Sequence, residues 1–311
     1  QLADAMPDGT LKLLSGDNYI PGPFYSGSND ARFADAVGLE DDGQGGRADI
    51  LIANALGVRA SSFGNHEFDL GTAQVGNLIR PNSVDADGDG TIEPYAGTQF
   101  AYLSTNLDFA PDANLADLVV ADGAAPQPAS IAGSVVIEVD GESIGVVGAT
   151  TPTLRSISSP GNVGVAPMPF NAENAADLDA LAAEIQTTVD ALLGQDIDKV
   201  ILLAHFGRPK GRDEKNSLRQ VVPALETRGG YGHAHLHFLV TGIARGAECF
   251  ELDKANGLGK DHPGGAVAVF LVDLHQDLAT RRCLHVPCPV GGGNRFRVER
   301  VRCRSGLERH V

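Results

Sequence analysis

Short apolar runs typical of buried strands recur along the first two thirds of this chain, and they alternate with segments of helical periodicity. Residues 10–14, 60–63 and 200–204 are strand-like, and a predicted hairpin turns at Asp140-Gly141. In residues 171–193 the apolar side chains recur at steps of three or four, which predicts a helix. Strands that alternate with helices predict a layered α/β fold.

The charges divide the chain into two unlike parts. Residues 1–198 hold 29 Asp and Glu against 6 Lys and Arg, and residues 199–311 hold 11 against 18, so the net charges of −23 and +7 sum to −16. An acidic first part argues against a nucleic-acid partner, because phosphate backbones attract Lys and Arg. The acidic first part suits a periplasmic or extracellular protein or a salt-tolerant one. Its lack of Cys fits an exported bacterial protein, although Cys-poor cytosolic proteins are also common. No apolar run reaches 18 residues, so no membrane span is predicted.

Polar residues follow three of the predicted strands. Asp17 lies in Gly-Asp-Asn after residues 10–14, the segment Gly-Asn-His-Glu-Phe-Asp at 64–69 follows the second strand, and His205 ends the third. Ligands of α/β sheets bind at the carboxyl ends of strands. We therefore expect these side chains to converge at one edge of the fold.

The residue types at these strand ends suit metal-assisted acid–base chemistry. Asn65 offers a carbonyl oxygen to a hard cation, and the imidazole of His205 suits Zn, Mn, Co or Fe. His66 can stabilise a transferring phosphoryl group or protonate a leaving oxygen. Asp69 can hold the His66 ring in one tautomer.

Two of these segments carry a family resemblance. Leu-Ser-Gly-Asp-Asn-Tyr at 14–19 and Gly-Asn-His-Glu-Phe-Asp at 64–69 resemble the metallophosphoesterase (calcineurin-like) superfamily, in particular its 5′-nucleotidase branch and related bifunctional phosphatases. The resemblance covers residues 11–204, including 105–108 and 144–148. It implies an α/β/β/α sandwich over residues 1–204 that hydrolyses phosphate monoesters, nucleotides among them, with two divalent metal ions (Zn, Mn, Co or Fe).

The resemblance also implies roles for single residues. Asp17 would bridge the two metal ions, and the neighbouring Asn18 is a candidate substrate-binding residue. The remaining implied roles are metal binding by Asn65 and His205 and a catalytic pair of His66 and Asp69.

Two features depart from the family pattern. The family's first strand carries an Asp-x-His motif, and nothing of that form precedes Asp17, so we expect that this chain is truncated at its N-terminus. The family's last motif, Gly-His-x-His, is matched by Gly-His-Ala-His at 232–235, which makes His233 and His235 candidate metal ligands. The alternative is a chance match within a His-rich stretch.

A second resemblance begins where the charge balance changes. Residues 199–226 are similar to the phosphoglycerate kinase segment that carries His-x-Gly-Arg-Pro-Lys-Gly, and there His205 and Arg208 would contact an acidic substrate. We therefore separate a kinase-like segment at 205–227 from an unassigned basic tail at 228–311. A chimeric reading frame would explain the junction, and reads that show one continuous frame across codons 195 to 230 would refute it.

An acidic loop adds a third possibility. Asp85, Asp87 and Asp89, followed by Gly90, have the spacing of a calcium loop, although Ala96 stands where the closing acid is expected. This predicts a structural Ca²⁺ site or, alternatively, a solvated turn. Two functional alternatives to the hydrolase follow, namely a fragment related to phosphoglycerate kinase and a catalytically incomplete acidic module with a calcium loop.

Overall fold

The computed structural model describes residues 10–28, 30, 45–82, 95–197 and 199–205 and two later strands. The strands are β1 Leu13–Leu14, β2 Ala60–Ser62, β3 Ala101–Leu103, β4 Leu107–Asp108, β5 Ser130–Ala132, β6 Ser134–Val139, β7 Glu142–Thr150, β8 Gly164–Val165, β9 Lys199–His205, β10 His237–Thr241 and β11 Ala266–Val272. The helices are α1 Pro23–Gly27, α2 Arg47–Ala55, α3 Thr72–Ile79, α4 Leu154–Ile157 and α5 Ala175–Leu193, with 3₁₀ turns at His66–Phe68 and Ala116–Leu118.

The strands form two main sheets. The first sheet has the order β1-β2-β3-β5, and all its neighbours are parallel. The second sheet has the order β10-β11-β9-β7-β6, in which only the β6–β7 hairpin is antiparallel. Strands β4 and β8 form a short antiparallel ribbon. A mostly parallel arrangement brings the carboxyl ends of several strands to one edge of each sheet.

The two sheets pack face to face, and helices cover their outer faces. Successive residues of β7 and β9 point to opposite faces of the second sheet. Val146 and Leu203 lie in the core between the sheets, whereas Val147 and Leu202 pack with α5. The outer face of the first sheet packs against α2 and α3. This arrangement confirms the predicted α/β/β/α sandwich.

Small residues let the two sheets approach closely. The first sheet presents Ala60, Ala101 and Ala132 to the core between the sheets. A Cβ added at Gly148 would lie 2.3 Å from the carbonyl oxygen of Leu103 in the opposite sheet. A larger residue at position 148 would therefore push the sheets apart near the ends of their strands.

The long helix begins later than the sequence indicates. Asn171 accepts a hydrogen bond from the N–H of Glu173 in a local turn, and the helix begins at Ala175. Its N-cap is Asn174, whose side chain accepts from the N–H of Ala176. The predicted end holds, since the helix closes at Leu193 and Gly194 is its C-cap.

The other predicted elements are mostly confirmed. The hairpin turns at Asp140 and Gly141, whose φ angles of 52° and 79° suit a two-residue turn. The tail left unassigned by the sequence contributes β10 and β11 to the second sheet. No helix in the described residues is long and apolar enough to cross a bilayer.

Candidate metal centre and catalytic pair

Two loops meet at the carboxyl edge of the first sheet. Strands β1 and β2 are parallel neighbours, so the segments that follow them, 16–18 and 64–69, leave the sheet side by side. A Cβ on Gly16 would lie 2.3 Å from the backbone nitrogen of Gly64, and a Cβ on Gly64 would lie 2.2 Å from Asp17 Oδ1. The contact between the loops therefore requires glycine at both positions.

Glu67 ties these two loops together. Its carboxylate accepts three backbone N–H bonds, from Asp17 at 2.9 Å, Asn18 at 2.7 Å and Gly64 at 2.8 Å. The side chain is fully buried. Burial and the nearby charge of Asp17 raise the pKa of Glu67 to about 8, against the lowering effect of the three hydrogen bonds. Glu67 thus sets the relative position of both loops.

Asp17 is buried and held in an uncommon backbone conformation. It is 4% exposed, and its φ of 55° lies in the left-handed region, which Asp tolerates better than most residues. Its Oδ1 accepts the backbone N–H of His66 at 3.0 Å. In the described part of the chain, its Oδ2 has no hydrogen-bond partner. One carboxylate oxygen thus fixes the loop, and the other is aimed at the second sheet.

His205 reaches the same point from the second sheet. It ends β9, where it pairs with Thr150, and it is 5% exposed. Its Nε2 lies 3.1 Å from Asp17 Oδ2. This contact lacks hydrogen-bond geometry, and Nε2 has no hydrogen-bond partner among the described residues.

A buried polar network holds the strand beside His205. The hydroxyl of Thr150 donates to the carbonyl of Phe63 at 3.1 Å and lies 2.9 Å from the hydroxyl of Ser104. Asn106 binds both backbone groups of Thr150, accepting from its N–H and donating to its carbonyl, each at 2.8 Å. These bonds join the second sheet to the loop that carries His66.

His66 and Asp69 form a side-chain pair across one turn. His66 Nδ1 lies 2.5 Å from Asp69 Oδ2, and the other ring nitrogen, Nε2, lies 3.9 Å from Asp17 Oδ2. An ionised Asp69 favours the tautomer in which Nδ1 carries the proton and donates it. The opposite side of the ring, which bears Nε2, therefore faces Asp17.

The donor set fits a divalent cation. A buried carboxylate oxygen and an imidazole nitrogen lie 3.1 Å apart, and neither atom has a hydrogen-bond partner among the described residues. A shared cation would relieve that arrangement, and the mixed oxygen and nitrogen ligands suit Zn, Mn, Co or Fe. Within the described ranges, no group of three or more His, Cys, Asp or Glu side chains could hold a metal ion alone. Binding of a metal ion by Asp17 and His205, together with further ligands, therefore stays a prediction.

The structure places the other predicted residues as follows. The amide nitrogen of Asn18 donates inward, to the hydroxyls of Ser61 and Tyr102, each at 2.8 Å. The backbone carbonyl of Asn65 accepts from Phe68 and opens the 3₁₀ turn, and its role as a ligand stays a prediction. The remaining candidates lie outside the described residues: Asp85, Asp87, Asp89, Arg208, His233 and His235.

Two supporting residues were not identified from the sequence. Glu67 lies inside the motif, and its position between Asn65 and Asp69 was the available signal. Ser158, whose hydroxyl donates to Asp69 Oδ1 at 3.0 Å, lies 89 residues along the chain and gave no signal.

The kinase-like segment also has relatives. A phosphoglycerate kinase of Rhodopseudomonas palustris is 50% identical over 58 residues, which is 19% of this chain and 14% of that enzyme. The predicted resemblance is confirmed as a short segment. Because most of that kinase has no counterpart in the match, we do not extend its activity to this chain.

Longer matches link the chain to phosphoesterases, although no family model matches the sequence. A trifunctional nucleotide phosphoesterase protein of Bacillus subtilis, YfkN, is 29% identical over 195 residues, 61% of this chain and 12% of that protein. A 5′-nucleotidase of Diplobatis ommata is 30% identical over 242 residues, 75% of this chain and 30% of that protein. A solved 5′-nucleotidase precursor from Thermus thermophilus is 26% identical, with a TM-score of 0.45, over 67% of this chain and 30% of that one.

The matches to the two curated relatives and the residue motifs agree on one assignment. The chain spans less than a third of the length of either curated relative. Over the matched stretch, the chain belongs to the 5′-nucleotidase branch of the metallophosphoesterase superfamily.

Proposed function

We propose that this protein hydrolyses phosphate monoesters with the help of divalent metal ions that Asp17 and His205 help to bind. The observation that carries the proposal is the 3.1 Å approach of Asp17 Oδ2 to His205 Nε2, two buried atoms on different sheets without a hydrogen bond between them. Asn65, at the start of the adjacent turn, is proposed as a further ligand. The ions that suit these ligands are Zn, Mn, Co and Fe.

The bound ions would neutralise the charge of the phosphate and activate a water for attack in line with the leaving group. The chain supplies the remaining chemistry through His66. Its Nδ1–H donates to Asp69, which orients the ring and stabilises a positive charge on it. The ring edge that bears Nε2 faces Asp17, so a phosphate held there would receive a proton from His66 on its leaving oxygen.

Nucleotides are the substrate class that we propose. The names of both relatives refer to nucleotide hydrolysis, and the acidic first part of this chain gives no support for long polyanions as substrates. The same acidic, Cys-free composition supports a periplasmic or extracellular location. A panel of nucleoside monophosphates, assayed for released phosphate, tests the substrate class.

The proposed hydrolysis is tested with p-nitrophenyl phosphate and added Mn²⁺. We expect activity that EDTA removes and that His66→Ala lowers by roughly 10²- to 10⁴-fold, the usual contribution of a general acid. Asp140→Asn is the matched control for Asp17→Asn, because both aspartates have a left-handed φ, 52° and 55°, and only Asp17 is at the site. Metal-independent activity, or equal activity of the Asp17→Asn and Asp140→Asn variants, would contradict the proposal.

A further inference from the structure

Asp69 is held on both of its carboxylate oxygens. Oδ2 faces His66 Nδ1 at 2.5 Å, and Oδ1 accepts the hydroxyl of Ser158 at 3.0 Å. A carboxylate with only one of these contacts could rotate about its terminal bond, which is a soft torsion. With both contacts the carboxylate plane is fixed, and so is the direction from which Asp69 approaches the imidazole.

The segment that presents Ser158 is itself attached to the catalytic loop. Ser158 ends the short helix α4, and its N–H bonds to the carbonyl of Leu154 at 2.9 Å. The next residue, Ser159, donates its N–H to the carbonyl of Phe68 at 3.1 Å. One side-chain bond and one backbone bond therefore join residues 158–159 to residues 68–69. Together they hold the Ser158 hydroxyl at a defined position.

The loop that follows Ser158 is also fixed. Arg155 donates to the carbonyls of Gly161 and Val163, and Asp112 accepts the N–H of Asn162 at 3.0 Å. These contacts hold residues 159–163 against the body of the protein. Ser158 is thus carried by an ordered turn on each side.

We propose that Ser158 is a positioning residue for the catalytic pair, acting on His66 through Asp69. The proposal rests on the proposed function for its catalytic meaning, since Ser158 contacts neither the predicted ligands nor the reacting atoms. Its hydroxyl donates to Asp69 in the ionised state, which keeps the carboxylate oriented as an acceptor for the imidazole N–H. Removing the hydroxyl leaves the Asp69 carboxylate with one fixed contact instead of two.

Proton NMR of the protein in EDTA can detect the proton between His66 and Asp69 without any catalytic turnover. The His66 Nδ1–H is assigned as the downfield proton that disappears in His66→Ala. We expect wild type, Ser158→Thr and the matched control Ser156→Ala to keep this proton, because Ser156 lies in the same short helix and its hydroxyl donates to the carbonyl of Thr153 rather than to Asp69. In Ser158→Ala the proton should exchange too fast to be observed.

Steady-state kinetics provide a second test, in which kcat and KM should respond differently. For Ser158→Ala we expect kcat to fall roughly tenfold, the equivalent of one hydrogen bond to a charged group, with KM unchanged. Rescue by Ser158→Thr separates positioning from packing. Threonine keeps the hydroxyl, and the extended backbone at residue 158 accommodates its branched side chain. An unchanged Nδ1–H signal in Ser158→Ala, or no such signal in wild type, would overturn the inference. A wild-type protein that shows the signal but hydrolyses no phosphate ester would overturn the proposed function alone.

Discussion

The two sheets contribute to the candidate site in different ways. The first-sheet half, made of Asp17, Glu67 and the pair His66–Asp69, is fixed by hydrogen bonds from the protein itself. The second-sheet half is His205, whose Nε2 has no hydrogen-bond partner among the described residues although it lies 3.1 Å from Asp17 Oδ2. The difference indicates that the protein's own hydrogen bonds organise the first half. Under the proposed function, a bound cation would complete the second half.

The largest effect is expected from removing the carboxylate of Glu67. Glu67→Ala leaves three buried N–H groups without acceptors, and each costs about 1–3 kcal/mol, so the free energy of unfolding should fall by roughly 3–9 kcal/mol. Urea denaturation measures this change. Glu142→Ala is the control, because that Glu is exposed and its carboxylate pairs with Lys199 at the surface. A loss as small as the control's would show that Glu67 does not organise the first-sheet half.

A pH-dependent effect of intermediate size is expected from the outer face of the first sheet. Burial raises the pKa of Asp49 in α2 from 3.8 to about 7, and its Oδ2 has no hydrogen-bond partner among the described residues. The folded state binds the Asp49 proton more tightly than the unfolded state does. The contribution of Asp49 to the free energy of unfolding is therefore fully present below pH 3.8 and is lost as pH rises through about 7. The melting temperatures of wild type and Asp49→Asn in EDTA should therefore diverge between pH 5 and pH 8. The melting temperature of the variant should change less with pH. Parallel curves would contradict the assignment to Asp49.

The smallest effect is expected where the two halves are joined. Thr150→Val keeps the side-chain shape and removes the hydroxyl that donates to Phe63 and contacts Ser104. The free energy of unfolding should fall by about 1–2 kcal/mol, the cost of one buried bond with its acceptor left unpaired. Thr187→Val, on the exposed face of α5, is the control, since its hydroxyl bonds only locally to Ala183. Equal losses in both variants would show that the joint contributes no more than a surface hydroxyl.

The sequence was sufficient to predict a layered α/β fold and the contact between His66 and Asp69. Alternating strands and helices indicated the layers, the family resemblance implied the two-sheet sandwich, and the spacing of the two residues within one turn placed them in contact, as the 2.5 Å distance confirms. These predictions depend on local periodicity and on short motifs. Both are readable without knowledge of the contacts between distant segments.

Other features depend on long-range contacts that the sequence does not reveal. An acid in a loop motif is normally solvated, but Glu67 is buried because a second loop, 49 or 50 residues away, supplies its N–H donors. Ser158 contacts Asp69 across 89 residues. The start of α5 was missed because Asn171 and Asn174 both cap local turns, and only the second precedes helical backbone.

A Mn²⁺ titration by calorimetry can show whether Asp17 and His205 bind one shared cation. We compare wild type with Asp17→Asn, His205→Gln and the double variant, using Asp140→Asn as the control. If the two side chains bind the same ion, each single variant should weaken affinity by at least about tenfold, and the double variant should be little weaker than the poorer single one. Wild-type affinity in His205→Gln, or losses that add independently in the double variant, would contradict the shared site.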